Sequence, residues 1–299
     1  MALMSLGSFT ESFFSEKQEQ LLKTYPGLSI RRLKDEIESF ALQKHVDADE
    51  LFEHQYIPSG ENPLTHFFNS LNRGYPLEYI RGRAYFYKSE FHVSPSVLIP
   101  RSETEILVET ATILLNDWLK KTDESLRVLD IGTGSGAIII SLLQEIDRPL
   151  SSYATDISKE ALKIARRNFF NLRFTIPRES SLDLICTDRM KDLREEKFHL
   201  IVSNPPYIKE DEDRKFVHNQ VDTFEPHLAL YLKDGEYYDW FEELFQDVSN
   251  SLYEEGVFIM EGHEDHLEDL RIQCEKFNFK TVSLIKDYTQ RDRFLIAKK

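Results

Sequence analysis

Apolar residues in the first quarter of the chain recur every three or four positions: Phe9, Phe13, Phe14, Leu21 and Leu22, then Leu33, Ile37, Phe40 and Ala41. This spacing gathers them on one side of successive helices. Pro26-Gly27, Pro58-Ser59-Gly60 and Gly74-Tyr75-Pro76 interrupt the pattern. The segment therefore reads as three to five helices forming a small domain over residues 1–75.

Between Pro76 and Pro100 the residues turn aromatic and β-branched, with Tyr79, Ile80, Tyr85, Phe86, Tyr87, Phe91 and Val93 around a turn at Lys88-Ser89-Glu90. A β-hairpin linking two halves is expected over residues 76–99. A helix running to about Lys121 is expected next, with Ser102 and Glu105 as a capping box.

From Arg127 short apolar runs alternate with amphipathic stretches. The predicted strands are Arg127–Ile131, Tyr153–Ile157, Leu182–Thr187, His199–Ser203, Gly256–Glu261, Lys280–Lys286 and Arg293–Ala297. Helices such as Ser158–Phe170 and Glu236–Tyr253 fall between most of them. This alternation predicts an α/β domain over residues 100–299, a doubly wound sheet of seven strands with helices on both faces. The last two strands, joined without a helix, are expected to pair antiparallel at an edge.

Composition narrows the function classes. Among 299 residues, 37 Lys and Arg face 52 Asp and Glu, a formal charge of −15. That balance argues against a surface built to bind nucleic acid. Two cysteines, Cys186 and Cys274, exclude a disulfide framework and a four-cysteine metal site, and are expected as reduced core thiols. Met1 to Ser15 lacks the pattern of a secretory leader, and no run reaches the ~18 apolar residues that span a bilayer. A cytoplasmic protein is expected.

The first strand of the sheet ends in Asp130-Ile131-Gly132-Thr133-Gly134-Ser135-Gly136-Ala137 and runs directly into a helix. Glycines let the backbone turn tightly and approach a ligand, while the helix start presents free N–H donors. Asp156 closes the next strand twenty residues after Gly136, the spacing of a carboxylate that binds ribose hydroxyls. Gly132-x-Gly134-x-x-Ala137 fits a dinucleotide fingerprint. Gly-x-Gly-x-Gly after an acidic residue better suits S-adenosylmethionine, whose cationic methionine end would favour a charge such as Asp130 nearby.

A second motif, Asn204-Pro205-Pro206-Tyr207, follows the fourth strand. Two prolines cannot continue the sheet and stiffen the backbone, aiming the Asn204 side chain and the Pro205 carbonyl in one direction. Both are hydrogen-bond acceptors, suited to a planar –NH2 group, and Tyr207 can pack on that group's flat face. Methyl transfer to such a nitrogen needs alignment and preorganised polarity, with no metal and no nucleophilic side chain.

The two motifs together resemble the class I methyltransferases, Rossmann-like enzymes that use S-adenosylmethionine. Pro100–Glu105, Tyr79-Ile80-x-Gly82 and Phe224-Glu225-Pro226-x-Leu228-Ala229-Leu230 narrow the resemblance to the HemK/PrmC family, the protein-(glutamine-N5) methyltransferases of peptide chain release factors. The resemblance covers essentially the whole chain. It implies transfer of a methyl group to the glutamine of the Gly-Gly-Gln loop, leaving S-adenosylhomocysteine. Asp130 and the loop Gly132, Thr133, Gly134, Ser135 and Gly136 would hold the methionine part, Asp156 the ribose, and Asp188 with Arg189 the adenine. Arg189 departs from the aromatic the family tends to place there. Asn204 would sit between cofactor and glutamine, with Asn204, Pro205, Pro206 and Tyr207 gripping the amide and Asn204, Pro205 and Tyr207 carrying the catalysis. The helical domain would recognise the release factor. No nucleic acid, membrane or metal is expected, and the chain is expected to be a monomer.

Two alternatives share this chemistry: a ribosomal-protein glutamine methyltransferase, and an adenine-N6 methyltransferase of DNA or RNA. The latter would need a basic groove that flips bases, against the acidic balance. A third reading is a non-catalytic binding protein on the same scaffold. The nine histidines form no ligand-spaced cluster along the sequence, so His263 and His266 are expected on a solvated helix face. Glu210-Asp211-Glu212-Asp213 is expected to be a solvated loop.

Overall fold

A computed structural model describes residues 4–46 and 50–299. Residues 1–3, where the reading for a leader begins, and 47–49, within the helical domain, lie outside the described residues. The chain divides at Gly82/Arg83 into two units.

The first unit holds α1 (Leu6–Thr24), α2 (Ile30–Gln43), α3 (Pro63–Asn72), α4 (Leu77–Arg81) and a short ladder of β1 (Met4–Ser5) with β2 (Gln55–Tyr56). Side-chain caps start three of the helices: Ser5 accepts from the Ser8 amide, Ser29 from Arg32 and Asn62 from Leu64. Leu33, Ile37, Phe40 and Ala41 are all buried, as their spacing predicts. On α1 the burial is narrower. Phe13 and Leu21 are buried, whereas Leu22 is exposed. Tyr79 and Ile80, expected to be extended, lie on α4.

The second unit opens with the hairpin β3 (Arg83–Phe86) and β4 (Ser89–His92). Its two-residue turn is Tyr87-Lys88, earlier than expected, with Tyr87 in the left-handed region at φ 55°. Then come α5 (Glu105–Leu119), β5 (Leu126–Ile131), α6 (Ala137–Glu145), β6 (Leu150–Asp156), α7 (Lys159–Leu172), β7 (Ser181–Cys186) and β8 (Phe198–Ser203). A parallel pair of two-residue strands, β9 (Ile208–Lys209) and β10 (Tyr231–Leu232), flanks α8 (Asn219–Phe224). The chain finishes with α9 (Tyr237–Ser251), β11 (Leu252–Glu261), α10 (Leu267–Cys274), β12 (Thr281–Lys286) and β13 (Asp292–Lys298).

Seven strands form one sheet in the order β12-β13-β11-β8-β5-β6-β7. β12 and β13 pair antiparallel, and β13 slots between β12 and β11, antiparallel to both. The strand running against the rest is thus one place in from the edge, and β12 forms the edge itself. A short connection after β12 forces this reversal, because a parallel neighbour would need a crossover. One core packs α5 and α6 against one sheet face, and a second packs α9 and α10 against the other. Cys274 is buried in the second core. Cys186 is exposed at the end of edge strand β7, a correction to the expectation of two core thiols. None of the described helices is long and apolar enough to cross a membrane.

The expected capping box is absent. α5 begins at Glu105, and no side chain caps it. The Glu105 Oε1 instead accepts the Tyr87 amide at 2.8 Å, and the Ser102 hydroxyl turns to Glu103. Satisfying the hairpin's left-handed turn takes priority over the local cap.

Candidate active site

The sheet order reverses between β5 and β8, which run parallel with Ile131 opposite Ser203. The chain leaves their ends in opposite directions and opens a crevice there. Both sequence motifs begin at that point, one residue beyond each strand.

The glycine loop is held from below and from the side. The Thr155 carbonyl accepts the amides of Gly132 and Thr133, each at 2.9 Å. Asp156 accepts the Gly134 amide through Oδ2 at 2.9 Å and the Ser158 amide through Oδ1 at 2.8 Å. Asn168, buried on α7, donates to the Ser135 carbonyl at 2.8 Å. Gly132, Gly134 and Gly136 all adopt positive φ. A Cβ on Gly132 or Gly134 would enter open space, whereas one on Gly136 would meet Ile140 Cδ1 at 2.9 Å and Ala165 Cβ at 3.3 Å. The first two glycines leave room, and the third lets α6 pack against α7.

A cavity of about 240 Å³ joins the motifs. Gly132, Thr133, Gly134, Ser135, Asp156, Asp188, Arg189, Asn204, Pro205 and Pro206 all line it. Three expected site residues do not. Gly136 faces the helix packing just described. Asp130 is fully buried beneath the loop, where its Oδ2 accepts the Thr133 hydroxyl at 2.7 Å. Burial pushes its carboxyl up to about 7. It braces the loop and presents no charge to the cavity, because the tight turn buries its carboxyl inside the sheet. Tyr207 lines a smaller adjoining cavity with Asn204, Pro205, Leu98 and Arg101.

The Asn-Pro-Pro-Tyr segment is anchored at both ends. Asn204 Nδ2 donates to the Thr104 hydroxyl at 3.1 Å, and that hydroxyl donates to Glu261 Oε2 at 2.6 Å. The Tyr207 hydroxyl donates to the other oxygen, Glu261 Oε1, at 2.9 Å. Burial pushes the Glu261 carboxyl up, against the hydrogen bonds from Thr104 and Tyr207 and the charge of Arg293. Burial, with Glu261 beside it, holds the Tyr207 phenol well above its usual range. Tyr207 is therefore a hydrogen-bonded strut as well as a wall.

Arg189 sits at positive φ with its guanidinium nearly buried. It donates to the Trp240 carbonyl at 3.1 Å, pairs with Glu243, and lies 5.2 Å from the Trp240 ring centre. Sequence reasoning missed Trp240, which shares this wall, because nothing along α9 distinguishes it from other core aromatics. It also left Thr104, Arg101 and Glu225 without roles. Glu225, buried, accepts from Arg101 at 2.6 Å and from the Ile99 amide at 3.0 Å, joining the chain before α5 to that after α8. The motifs Pro100–Glu105 and Phe224–Leu230 were visible, but their meeting at the cavity was not. Glu261 did carry a signal, as a lone acid closing the apolar run Val257–Met260.

Asp213, His263 and His266 come together, which corrects the solvated placement expected for these three, while Asp211 and Glu212 of the same loop are exposed as expected. The possible metal-binding atoms of the three lie within 4.8 Å of one another. His266 and Asp213 are buried and 2.8 Å apart, and Asp213 also accepts the Lys209 amide at 3.0 Å. These contacts pin the loop after β9 to the start of α10. Half a hundred residues separate the partners, so no sequence spacing could show the group.

The family model described as "Methyltransferase small domain" matches residues 104–259. Curated relatives are similar over most of the chain. A "Release factor glutamine methyltransferase" of Flavobacterium psychrophilum is 34% identical over 223 residues, covering 74% of this chain and 74% of the relative. One of the same name from Streptococcus pneumoniae is 36% identical over 276 residues, covering 88% and 89%. Among solved structures, the hMettl16 catalytic domain in complex with the MAT2A 3′UTR hairpin 6 superposes with a TM-score of 0.52 at 12% identity, covering 69% of this chain and 74% of that one. That likeness speaks for the fold alone, the class I methyltransferase fold.

Proposed function

The chain belongs to the release factor glutamine methyltransferase family, and from that premise we propose that it transfers the methyl group of S-adenosylmethionine to the side-chain amide nitrogen, N5, of the glutamine in the Gly-Gly-Gln motif of peptide chain release factors. The observation that carries this reading is the single cavity lined by both the glycine loop with Asp156 and the Asn204–Pro206 stretch.

The residues present fit such a cofactor. Open space over Gly132 and Gly134 admits a ligand against bare backbone. Asp156 keeps spare acceptor capacity beyond its two backbone bonds, suited to ribose hydroxyls. Asp188, Arg189 and Trp240 supply a wall with a donor, an acceptor and an aromatic face, suited to adenine. When bound, S-adenosylmethionine supplies a methyl group activated by a positively charged sulfur.

The chain's own work is to present the nitrogen. With Nδ2 committed to Thr104, the Asn204 Oδ1 is the end of the amide left to accept from the substrate. The Pro205 carbonyl is the second acceptor, fixed by its ring. Two acceptors hold both hydrogens of a carboxamide –NH2, orient its nitrogen and favour a tetrahedral geometry as that nitrogen attacks the methyl group and gives up one of the held protons. Alignment of this kind contributes up to ~7–11 kcal/mol to the barrier reduction. The helical unit is the part proposed to recognise the release factor.

The test is radiolabelled methyl transfer from S-adenosylmethionine to a purified release factor, beside a variant with the loop glutamine changed to alanine. Label on the first alone is expected. Equal labelling of both, or label entering nucleic acid instead, would overturn the assignment.

A further inference from the structure

Resting on that reading, we propose that Thr104 and Glu261 are positioning residues that set which end of the Asn204 amide faces the substrate. An asparagine side chain is nearly symmetric in shape but opposite in hydrogen-bonding sense at its two ends. Turned one way it offers the substrate an acceptor, and turned the other way a donor that repels an –NH2 group. Pro205 and Pro206 fix the backbone but leave this half-turn free.

The polarity runs outward from one carboxylate. Glu261, 1% exposed at the end of β11, has acceptors on both oxygens and receives the Thr104 hydroxyl at 2.6 Å. With its proton committed there, the Thr104 oxygen can only accept from Asn204, and Nδ2 meets it at 3.1 Å. Oδ1 must then face away, toward the cavity. The second oxygen of Glu261 takes the Tyr207 hydroxyl at 2.9 Å, so one buried group fixes both ends of the tetrapeptide. Three separate elements supply the chain: Thr104 immediately precedes α5, Glu261 ends β11, and Asn204 follows β8.

The experiment compares Thr104→Val with Thr104→Ser in the full chain. Valine keeps the shape and removes the hydroxyl relay, and serine restores the relay without the methyl group. Thr104→Val should lower kcat by about tenfold to a hundredfold, the scale of a misplaced reacting group. S-adenosylmethionine affinity, measured by calorimetry, should stay within about threefold, and Thr104→Ser should recover most of the turnover. A merely structural role would move affinity and melting temperature together with kcat, and would respond to the methyl group more than to the hydroxyl. Wild-type turnover in Thr104→Val, or a serine variant as slow as the valine one, overturns the proposal. If valine prevents folding, Thr104→Ala against Thr104→Ser carries the same comparison. Failure of the wild-type protein to methylate any release factor would instead count against the function assigned above, a separate outcome.

Discussion

The carboxylate of Asp156 holds the backbone of Gly134 at 2.9 Å, so the acid that ends the second strand of the sheet core also shapes the loop that follows the first. Loop geometry and the ribose binding proposed above would thereby be joined in one side chain. Replacing Asp156 by Ala removes the loop brace and the acceptor together. Loss of a charged hydrogen-bonding group contributes about 1.5–3 kcal/mol, or roughly tenfold to a hundredfold in affinity. Calorimetric titration with S-adenosylmethionine should show that loss. An affinity within twofold of wild type would detach Asp156 from the cofactor.

Gly132 and Gly136 should fail in opposite ways when changed to Ala. Both sit at positive φ, which disfavours any side chain by about 1 kcal/mol. Gly136→Ala adds a clash with Ile140 and crowding against Ala165, so it should lose about 2–3 kcal/mol of folding stability. Gly132→Ala meets no protein atom, and its methyl group instead occupies space assigned to the cofactor. Urea unfolding and ligand titration of the two variants should therefore rank them in reverse order. The same ranking in both assays would be the contrary result.

Much of the sheet was legible because each strand is a short apolar run between breakers. Leu126–Ile131 and Phe198–Ser203 begin one residue from where the pattern places them. The cavity-facing loops were legible for the same reason, since chemistry-bearing residues cluster at strand ends. What escaped is everything set by distance through space. Ser102 and Glu105 obey a local rule that the hairpin's need at Tyr87 overrides. Asp130 looks like a ligand charge from its place beside the glycines, but its side chain points into the sheet. Thr104 and Glu261 touch across 157 positions, and Asp213 and His266 across 53, so neither pair has a spacing to read.

Asp130 predicts a pH dependence of stability. Burial raises its folded-state pKa to about 7, with the charge of Asp156 adding and the Thr133 hydrogen bond opposing. An unfolded aspartate titrates near ~3.9. The folded protein then binds this proton more tightly than the unfolded chain does, and stability falls as pH rises between those two values. Asp130→Asn stays neutral throughout and keeps an acceptor for Thr133. Its stability difference between pH 5 and pH 8 should be smaller than that of wild type by about 2–3 kcal/mol. Denaturant unfolding at the two pH values measures this directly, and parallel behaviour of the two proteins would rule it out.

Asn204 carries the sharpest separation of binding from chemistry. Its side chain lines the cavity, yet the loop beneath that cavity is held by Thr155, Asp156 and Asn168 and by nothing from Asn204. Asn204→Ala should leave S-adenosylmethionine affinity within roughly tenfold. Turnover should fall by roughly 10²-fold or more, on the scale of losing a group that stabilises the transition state. Asn204→Asp sharpens the comparison, because it keeps an acceptor toward the substrate but loses the donor that meets Thr104. Two acceptors would then face each other at 3.1 Å unless the acid takes up a proton, so this variant should also be slow and should recover partly as pH falls. Single-turnover methyl transfer across pH, with cofactor affinity measured in parallel, distinguishes the two losses. Full turnover in the alanine variant would remove the amide acceptor from the mechanism and leave the Pro205 carbonyl to orient the substrate alone.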